Sequence, residues 1–495
     1  MEMAHARKLR LALAILLILL PLITILAILG LRGPQWDVVA HSLNGRTLLN
    51  YLSLRNESAK SVFVGEYLNN MIYYFEPYRA PLATPIFAFL SIFLAEPIIA
   101  YTILLYAGVV FALYSISKEL KVDYLIIFSA FLSPYALYFF FVPNSMEGLS
   151  LIFIMFGLVY LLRKSPWSGL FFGIATLAKY PPLILLPIVL LLWDRKKIAF
   201  ALALEALAIA PWLAFNYAIY GHALYSYVAA LSNIVIASNY TPVYPLAILV
   251  TIAYPIAFLA GAAILARQQK PNKGLHAMRA ISYKYKVLLT FAILATIGYA
   301  FVLPHNDFFT QERFGYMLST SLAILGAVLL YDLMPGRRRL TLPQLVAIAA
   351  IAILAINLYY TYATTNTAAI RYYNPDIRGN VFQNAEAELA SMGFGGCRFV
   401  SNAWVQMLYL HYNAYSPFIL YKSSIITPLV EGLSSRAGIN YAAYVKGQTE
   451  YPVVVIDNAG VPPTLILNLK NSTLVYNNSQ IQIYLPRNAS CYTSD

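Results

Sequence analysis

The chain has 495 residues, 60% of them hydrophobic and only 11% charged, and its long uncharged runs match the ~20 residues an α-helix needs to cross a ~30 Å hydrocarbon core. That composition excludes a soluble globule and reads as a polytopic membrane protein. The formal net charge of +13 raises a nucleic-acid partner as an alternative, so where the charges lie has to decide.

The first apolar run, Leu11 to Leu31, exceeds the ~7–15 residues of a signal-peptide core and is followed by no small-residue cleavage site, so it is expected to stay as a helix. It leads into Gly33-Pro34-Gln35-Trp36-Asp37, which opens a polar loop at 32–80 holding Asp37, His41, Arg46, Glu57, Glu66, Glu76 and Arg79. About 50 residues is far more than a connection requires. If residues 38–50 are helical, Asp37 and His41 stand four apart on one face; Asp37 equally suits the N-cap of that helix. Residues 81–95 are apolar but short, which fits a helix lying at the outer surface.

Further spans are predicted near 98–116, 123–141, 148–162, 167–179, 181–193, 198–216, 243–266, 287–303, 314–332 and 343–363. With the first they make about eleven transmembrane helices. The segments 167–179 and 181–193 are short, which predicts a hairpin bent at Tyr180-Pro181-Pro182.

From 364 to 495 the long apolar runs cease. Asn384 to Met392 reads as a helix ended by Gly393 and Gly395-Gly396, with a strand at Arg398 to Ser401. A β-branched run at Val453 to Ile456 is a second strand, and Thr473 to Leu485 reads as a hairpin around Asn477-Asn478. Together these predict a small extracytoplasmic α/β domain of ~130 residues, large enough to bury its own core. Both cysteines, Cys397 and Cys491, fall here; an oxidising exterior would allow a bridge, which the count alone does not establish. The sequence shows no internal repeat, nucleotide-binding glycine motif or zinc-like Cys/His spacing.

Lys and Arg enrich cytoplasmic loops. With the N-terminus inside, that side receives Arg7, Lys8, Arg10, Lys118, Lys121, Arg163, Lys164, Arg195, Lys196, Lys197, the six between Arg267 and Lys286, and Arg337, Arg338 and Arg339, which is 19 of the 34 basic residues. Five acids accompany them. The positive charge is thus an orientation signal, and no nucleic acid is needed to explain it. Sequons at Asn56, Asn239, Asn471, Asn477 and Asn488 all fall in segments placed outside, the only face on which they could be glycosylated.

Chemistry is therefore sought where outer loops meet the membrane. The turn Pro143-Asn144-Ser145-Met146-Glu147 supplies an acid, or simply starts a helix with Ser145 as cap. Lys179, at the hairpin tip, either snorkels or holds a lipid phosphate. The loop Pro304 to Phe314 gathers His305, Asp307, Glu312 and Arg313; Arg313 serves either as an interfacial anchor or as a paired phosphate donor. Glu205, within a span ~10 Å from the cytoplasmic side by helix rise, reads as a neutral, hydrogen-bonded structural acid.

The order of these elements resembles the GT-C superfamily of integral-membrane glycosyltransferases, which includes protein O-mannosyltransferases, the bacterial aminoarabinose transferase and dolichyl-phosphate-mannose-dependent mannosyltransferases. The matching parts are Trp36-Asp37, Ala80-Pro81-Leu82, Ser133-Pro134 leading to Glu147, the run Gly173 to Pro181, Pro211-Trp212 with Asn216 and Gly221, and Gln311-Glu312-Arg313-Phe314. The oligosaccharyltransferase signature WWDxG is absent. Glu147 stands where several members have Asp, Trp36-Asp37 replaces an Asp-Glu pair, and Gln311 to Phe314 lacks the His-Lys that precedes Glu-x-Arg-Phe in lipid-linked mannosyltransferases.

The resemblance implies a membrane catalytic domain at 1–363, a soluble α/β domain at 364–495, and transfer of a sugar, mannose among the candidates, from a polyprenyl or dolichyl phosphate. The acceptor would be a lipid-linked glycan, a glycolipid or a protein, and the anomeric carbon would invert. Asp37 would be the general base, with Glu147 a second acidic candidate. Lys179, Arg313, His305 and Arg79 would face the donor phosphate, and His41, Glu66 and Glu312 the acceptor or loop. No cofactor is named, and a divalent metal beside Asp37 is left open. A secondary transporter or flippase for lipid-linked sugars is the alternative; such proteins show paired repeats and midplane ligands.

Overall fold

The computed structural model describes residues 2–32, 38–39, 41–42, 45, 80–94, 97–133, 135–137, 146–228, 230, 245–268, 282–302, 314–333, 352–358, 375–397, 399–401, 414–415, 453–457 and 472–487. In chain order the helices are α1 (Glu2–Arg32), α2 (Ala83–Phe93), α3 (Pro97–Leu120), α4 (Tyr124–Phe131), α5 (Met146–Leu162) and α6 (Trp167–Ala178). A 3₁₀ helix at Pro181–Leu192 follows, then α7 (Arg195–Tyr220), α8 (Pro245–Gln268), α9 (Tyr283–Val302), α10 (Tyr316–Leu333) and α11 (Pro375–Ser391). Among the described residues, Pro97–Leu120, Arg195–Ala218, Tyr283–Phe301 and Tyr316–Leu333 are long and apolar enough to cross a membrane. The shorter apolar helices Ala14–Gly30, Met146–Leu162, Trp167–Ala178 and Pro181–Leu192 match four further predicted spans. The predicted surface helix is α2, which buries Ala83, Phe87 and Leu90 against the bundle and leaves Phe89, Ile92 and Phe93 exposed.

Two expected segments depart from a continuous α-helix, each for a reason visible in the chain. Segment 123–141 starts as α4, whose N-cap Asp123 accepts from Leu125 N at 3.0 Å. It stops before Ser133-Pro134 and resumes at 135–137, where Ser133 Oγ caps Ala136 N at 2.9 Å. Ser133 N donates to Phe131 O at 2.7 Å, so the Ser129 carbonyl loses its helical donor. Tyr254 OH takes that carbonyl at 2.8 Å, which satisfies in the interior a group that lipid could not.

Segment 181–193 is the 3₁₀ helix. Pro181, Pro182 and Pro187 remove N–H donors of i→i−4 bonds. Twelve residues at ~2.0 Å rise reach about 24 Å, against about 18 Å as α-helix. The tighter winding lets a short segment cover more of the membrane. It ends at Trp193, whose φ of 61° lies in the left-handed region.

Helix α6 lies close along α7. A Cβ at Gly169 would strike the Ala201 carbonyl, and one at Gly173 would come within 2.8 Å of Ala208 Cβ and 3.0 Å of Glu205 O. Here glycine is required by backbone approach, and the close seam gains dispersion contacts where burial gives no advantage over lipid. Glu205 sits in this interface, buried, as expected of an acid inside a span. The expected hydrogen bond is not found: Glu205 Oε1 has no partner among the described residues.

The C-terminal strands are β1 (Phe399–Ser401), β2 (Ala414–Tyr415), β3 (Val453–Asp457), β4 (Ser472–Asn477) and β5 (Ile481–Pro486). Their sheet order is β2-β1-β3-β5-β4, parallel on both sides of β1 and antiparallel from β3 onward. The predicted hairpin is β4–β5, with Asn478 Oδ1 accepting from Gln480 N at 2.8 Å and Ile481 N at 2.6 Å in its turn. Helix α11 begins nine residues before the predicted Asn384 and ends at Gly393 with φ 86°. Cys397 is disulfide-bonded, and Cys491 is the one other cysteine of the chain.

Candidate functional site

The site is organised by the end of α6. Helix geometry would direct the N–H of residue 181 at the Leu177 carbonyl, but Pro181 has none. That carbonyl accepts from Leu82 N at 2.8 Å instead. Lys179, the C-cap, adopts extended geometry with φ −161°, and the chain turns out of the helix there. Ala80-Pro81-Leu82 is thereby fastened to Lys179-Tyr180-Pro181, joining two stretches almost a hundred residues apart.

Lys179 Nζ forms an ion pair with Glu147 Oε1, from the first turn of α5. Their side chains are 12% and 0% exposed. Lys179 therefore does not snorkel as a lone cation. The ammonium also faces the rings of Phe314, 5.2 Å away, and Tyr316, 5.8 Å away, both within range of cation–π attraction. Below it, Ser150 Oγ lies 3.4 Å from Ala175 O and 3.5 Å from Tyr316 OH. Charge, ring faces and hydroxyls thus meet where α5, α6 and α10 converge. Because both members of the pair are largely desolvated, removing either leaves a buried charge exposed to its full solvation penalty.

The first loop reaches the same region. Residues 38, 39, 41 and 42 are helical, and Val38 and Val39 are buried. His41 is buried as well, with Nδ1 3.2 Å from Thr84 Oγ1, two residues beyond Leu82. The structure thus brings His41, Glu147 and Lys179 to one end of the bundle. Asp37, Glu66, Arg79, His305, Glu312 and Arg313 lie outside the described residues. Phe314, next to Arg313 in the chain, is the part of that loop seen against Lys179. Among the described residues no group of three His, Cys, Asp or Glu is gathered as for a metal.

Sequence reasoning named Tyr180 at the hairpin bend, and Trp212 and Asn216 only as parts of a resemblance, and did not foresee that they support Lys179. Tyr180 OH accepts from Trp212 Nε1 at 3.3 Å, and its ring packs 4.6 Å from that of Tyr227. Asn216, fully buried, donates to Trp212 O at 2.9 Å and accepts from Ser226 Oγ at 2.5 Å. Trp212 and Asn216 stand four apart on α7, a spacing that signals a shared face. Nothing in the sequence indicates that this face meets Tyr180.

No family model matches the chain, and no curated protein matches it by sequence. Among solved structures, the crystal structure of ArnT from Cupriavidus metallidurans bound to undecaprenyl phosphate is similar, with a TM-score of 0.60 over 95% of this chain and 97% of that one at 10% identity. A likeness at that identity is one of fold alone: this chain shares the polytopic helical membrane fold of that protein.

Proposed function

We propose that the protein is an inverting glycosyltransferase that moves a sugar from a polyprenyl phosphate to an acceptor on the outer side of the membrane, with the N-terminus in the cytoplasm. The observation that carries this reading is the lysine held by Glu147, Phe314 and Tyr316 at the end of α6. A cation already fixed and partly dehydrated needs little reorganisation to receive a lipid phosphate. ArnT, of the same fold, was crystallised with undecaprenyl phosphate.

In this mechanism the acceptor oxygen attacks the anomeric carbon, Asp37 takes the hydroxyl proton, and the bond to the phosphate oxygen breaks. Polyprenyl phosphate leaves with its extra negative charge opposite Lys179, assisted by Arg313, His305 and Arg79. Glu147 keeps Lys179 in place before the donor arrives. His41, Glu66 and Glu312 flank the acceptor. Residues 1–363 carry the reaction, and 364–495 cover its outer side.

The test is release of polyprenyl phosphate by purified protein from a polyprenyl-phosphate sugar, with candidate acceptors supplied. Asp37→Asn should lower turnover by ~10²–10⁴, the usual worth of a general base, with thermal unfolding unchanged. Undiminished turnover would remove Asp37 from the mechanism. Passage of the lipid-linked sugar across vesicles without transfer would replace this reading with a flippase.

A further inference from the structure

The opposite end of α5 and α6 carries charge that the reaction does not use. The turn between them opens with Arg163 and Lys164, both exposed. After the 3₁₀ helix, Trp193-Asp194-Arg195-Lys196-Lys197 is exposed throughout, with the Trp193 ring 70% accessible. Lys197 Nζ donates to Lys164 O at 3.2 Å, which ties the two turns together. From α9, Lys286 Nζ stands 5.6 Å from the Trp193 ring, and Lys164 Nζ lies 5.1 Å from the Tyr283 ring. Three separate parts of the chain thus bring cations to one aromatic-lined surface.

The acids nearby are otherwise engaged. Asp194 caps α7, accepting from Lys196 N at 2.9 Å. Glu119 takes Arg163, and Asp332 takes Lys284 at 2.6 Å and Tyr285 OH at 2.5 Å. Among the described residues, Lys164, Arg195, Lys196, Lys197 and Lys286 meet no carboxylate. Moreover, Arg195, Lys196 and Lys197 fill the first turn of α7, which holds no acid. Cations there oppose the positive end of the helix dipole. Asp194 at the N-cap offsets part of this repulsion, and an external anion would offset more of it.

We propose that this surface binds the headgroups of anionic phospholipids in the leaflet at the end of the bundle opposite Lys179. A lipid is favoured over a soluble anion because the cations border the apolar flank of the bundle at Trp167 and Trp193, both exposed, and indole rings settle at the headgroup level. Basic pockets between helix ends hold lipid phosphates in the same way. This proposal is independent of the glycosyl-transfer reading.

The test is native mass spectrometry of the purified full-length protein, delipidated and offered phosphatidylglycerol or phosphatidylcholine of equal chain length. Phosphatidylglycerol should be retained preferentially and released by added salt. At about fivefold per cation, Arg195→Gln with Lys196→Gln and Lys197→Gln should weaken retention on the order of a hundredfold. Lys164→Gln with Lys286→Gln, on other elements, should weaken it about twenty-fivefold. Equal retention of the two lipids, or retention unchanged in both variants, overturns the proposal. So does displacement by inorganic phosphate beyond that by sodium chloride at matched ionic strength.

Discussion

At one end of α5 and α6, Lys179 is 12% exposed and pairs with a carboxylate that is 0% exposed; at the other end, Arg195, Lys196 and Lys197 stand exposed on a helix start with no acid in its first turn. Both ends are polar boundaries of one apolar bundle, and both concentrate positive charge. The difference lies in desolvation. A buried ammonium is tolerated because Glu147 offsets its charge, whereas exposed cations keep their hydration and need no internal partner. Under the two proposals, the first arrangement would hold a single phosphate in a fixed position and the second a shifting layer of headgroups.

Breaking the buried pair should have the largest effect. Lys179→Met strands the Glu147 carboxylate, so about 3–5 kcal/mol of stability should be lost in detergent unfolding, together with about 10²–10³ in turnover. Replacing both residues by Met should recover most of that stability without restoring turnover, because a packed apolar pair replaces two desolvated charges. Double-mutant stability as low as the single would show that the pair does more than neutralise itself.

An intermediate effect is expected between the two ends. Gly169→Ala places a methyl against the Ala201 carbonyl, and the resulting shift of α6 on α7 should cost about 1–3 kcal/mol in unfolding experiments. Since α6 carries Lys179 at its far end, donor KM should rise in this variant; an unchanged KM would separate the seam from the site.

The exposed end should respond less per residue, and for the three cations of α7 in the opposite direction. Replacing Arg195, Lys196 and Lys197 by Gln removes like charges from the positive end of a dipole, so stability in neutral detergent should rise by about 0.3–1 kcal/mol per charge. Glu119→Gln breaks an ion pair whose arginine side is 49% exposed and should cost about 0–1 kcal/mol. A loss comparable to that of Lys179→Met would erase the contrast between the ends.

Much of this organisation was legible in the residues alone. The length of apolar runs placed α3, α7, α9 and α10 within a few residues of where they lie, because crossing a membrane imposes a length. The β4–β5 hairpin followed from β-branched residues flanking Asn477-Asn478, because an Asx turn is a local property. Pro181-Pro182 announced a break after Lys179 but did not announce the winding of the next twelve residues as a 3₁₀ helix. The sequence also selected Glu147 and Lys179 separately, each with a bland alternative.

What the sequence determined by itself was the set of elements: which segments are apolar, where prolines remove backbone donors, and on which turns the charges fall. Only the tertiary structure decided that Glu147 and Lys179 face each other, that Leu82 occupies the carbonyl freed by Pro181, and that Lys164, Lys197 and Lys286 converge around Trp193 and Tyr283. Such pairings join residues distant in the chain, and no local pattern encodes which helix faces meet. They are settled by packing and by the need to satisfy every polar group withdrawn from water.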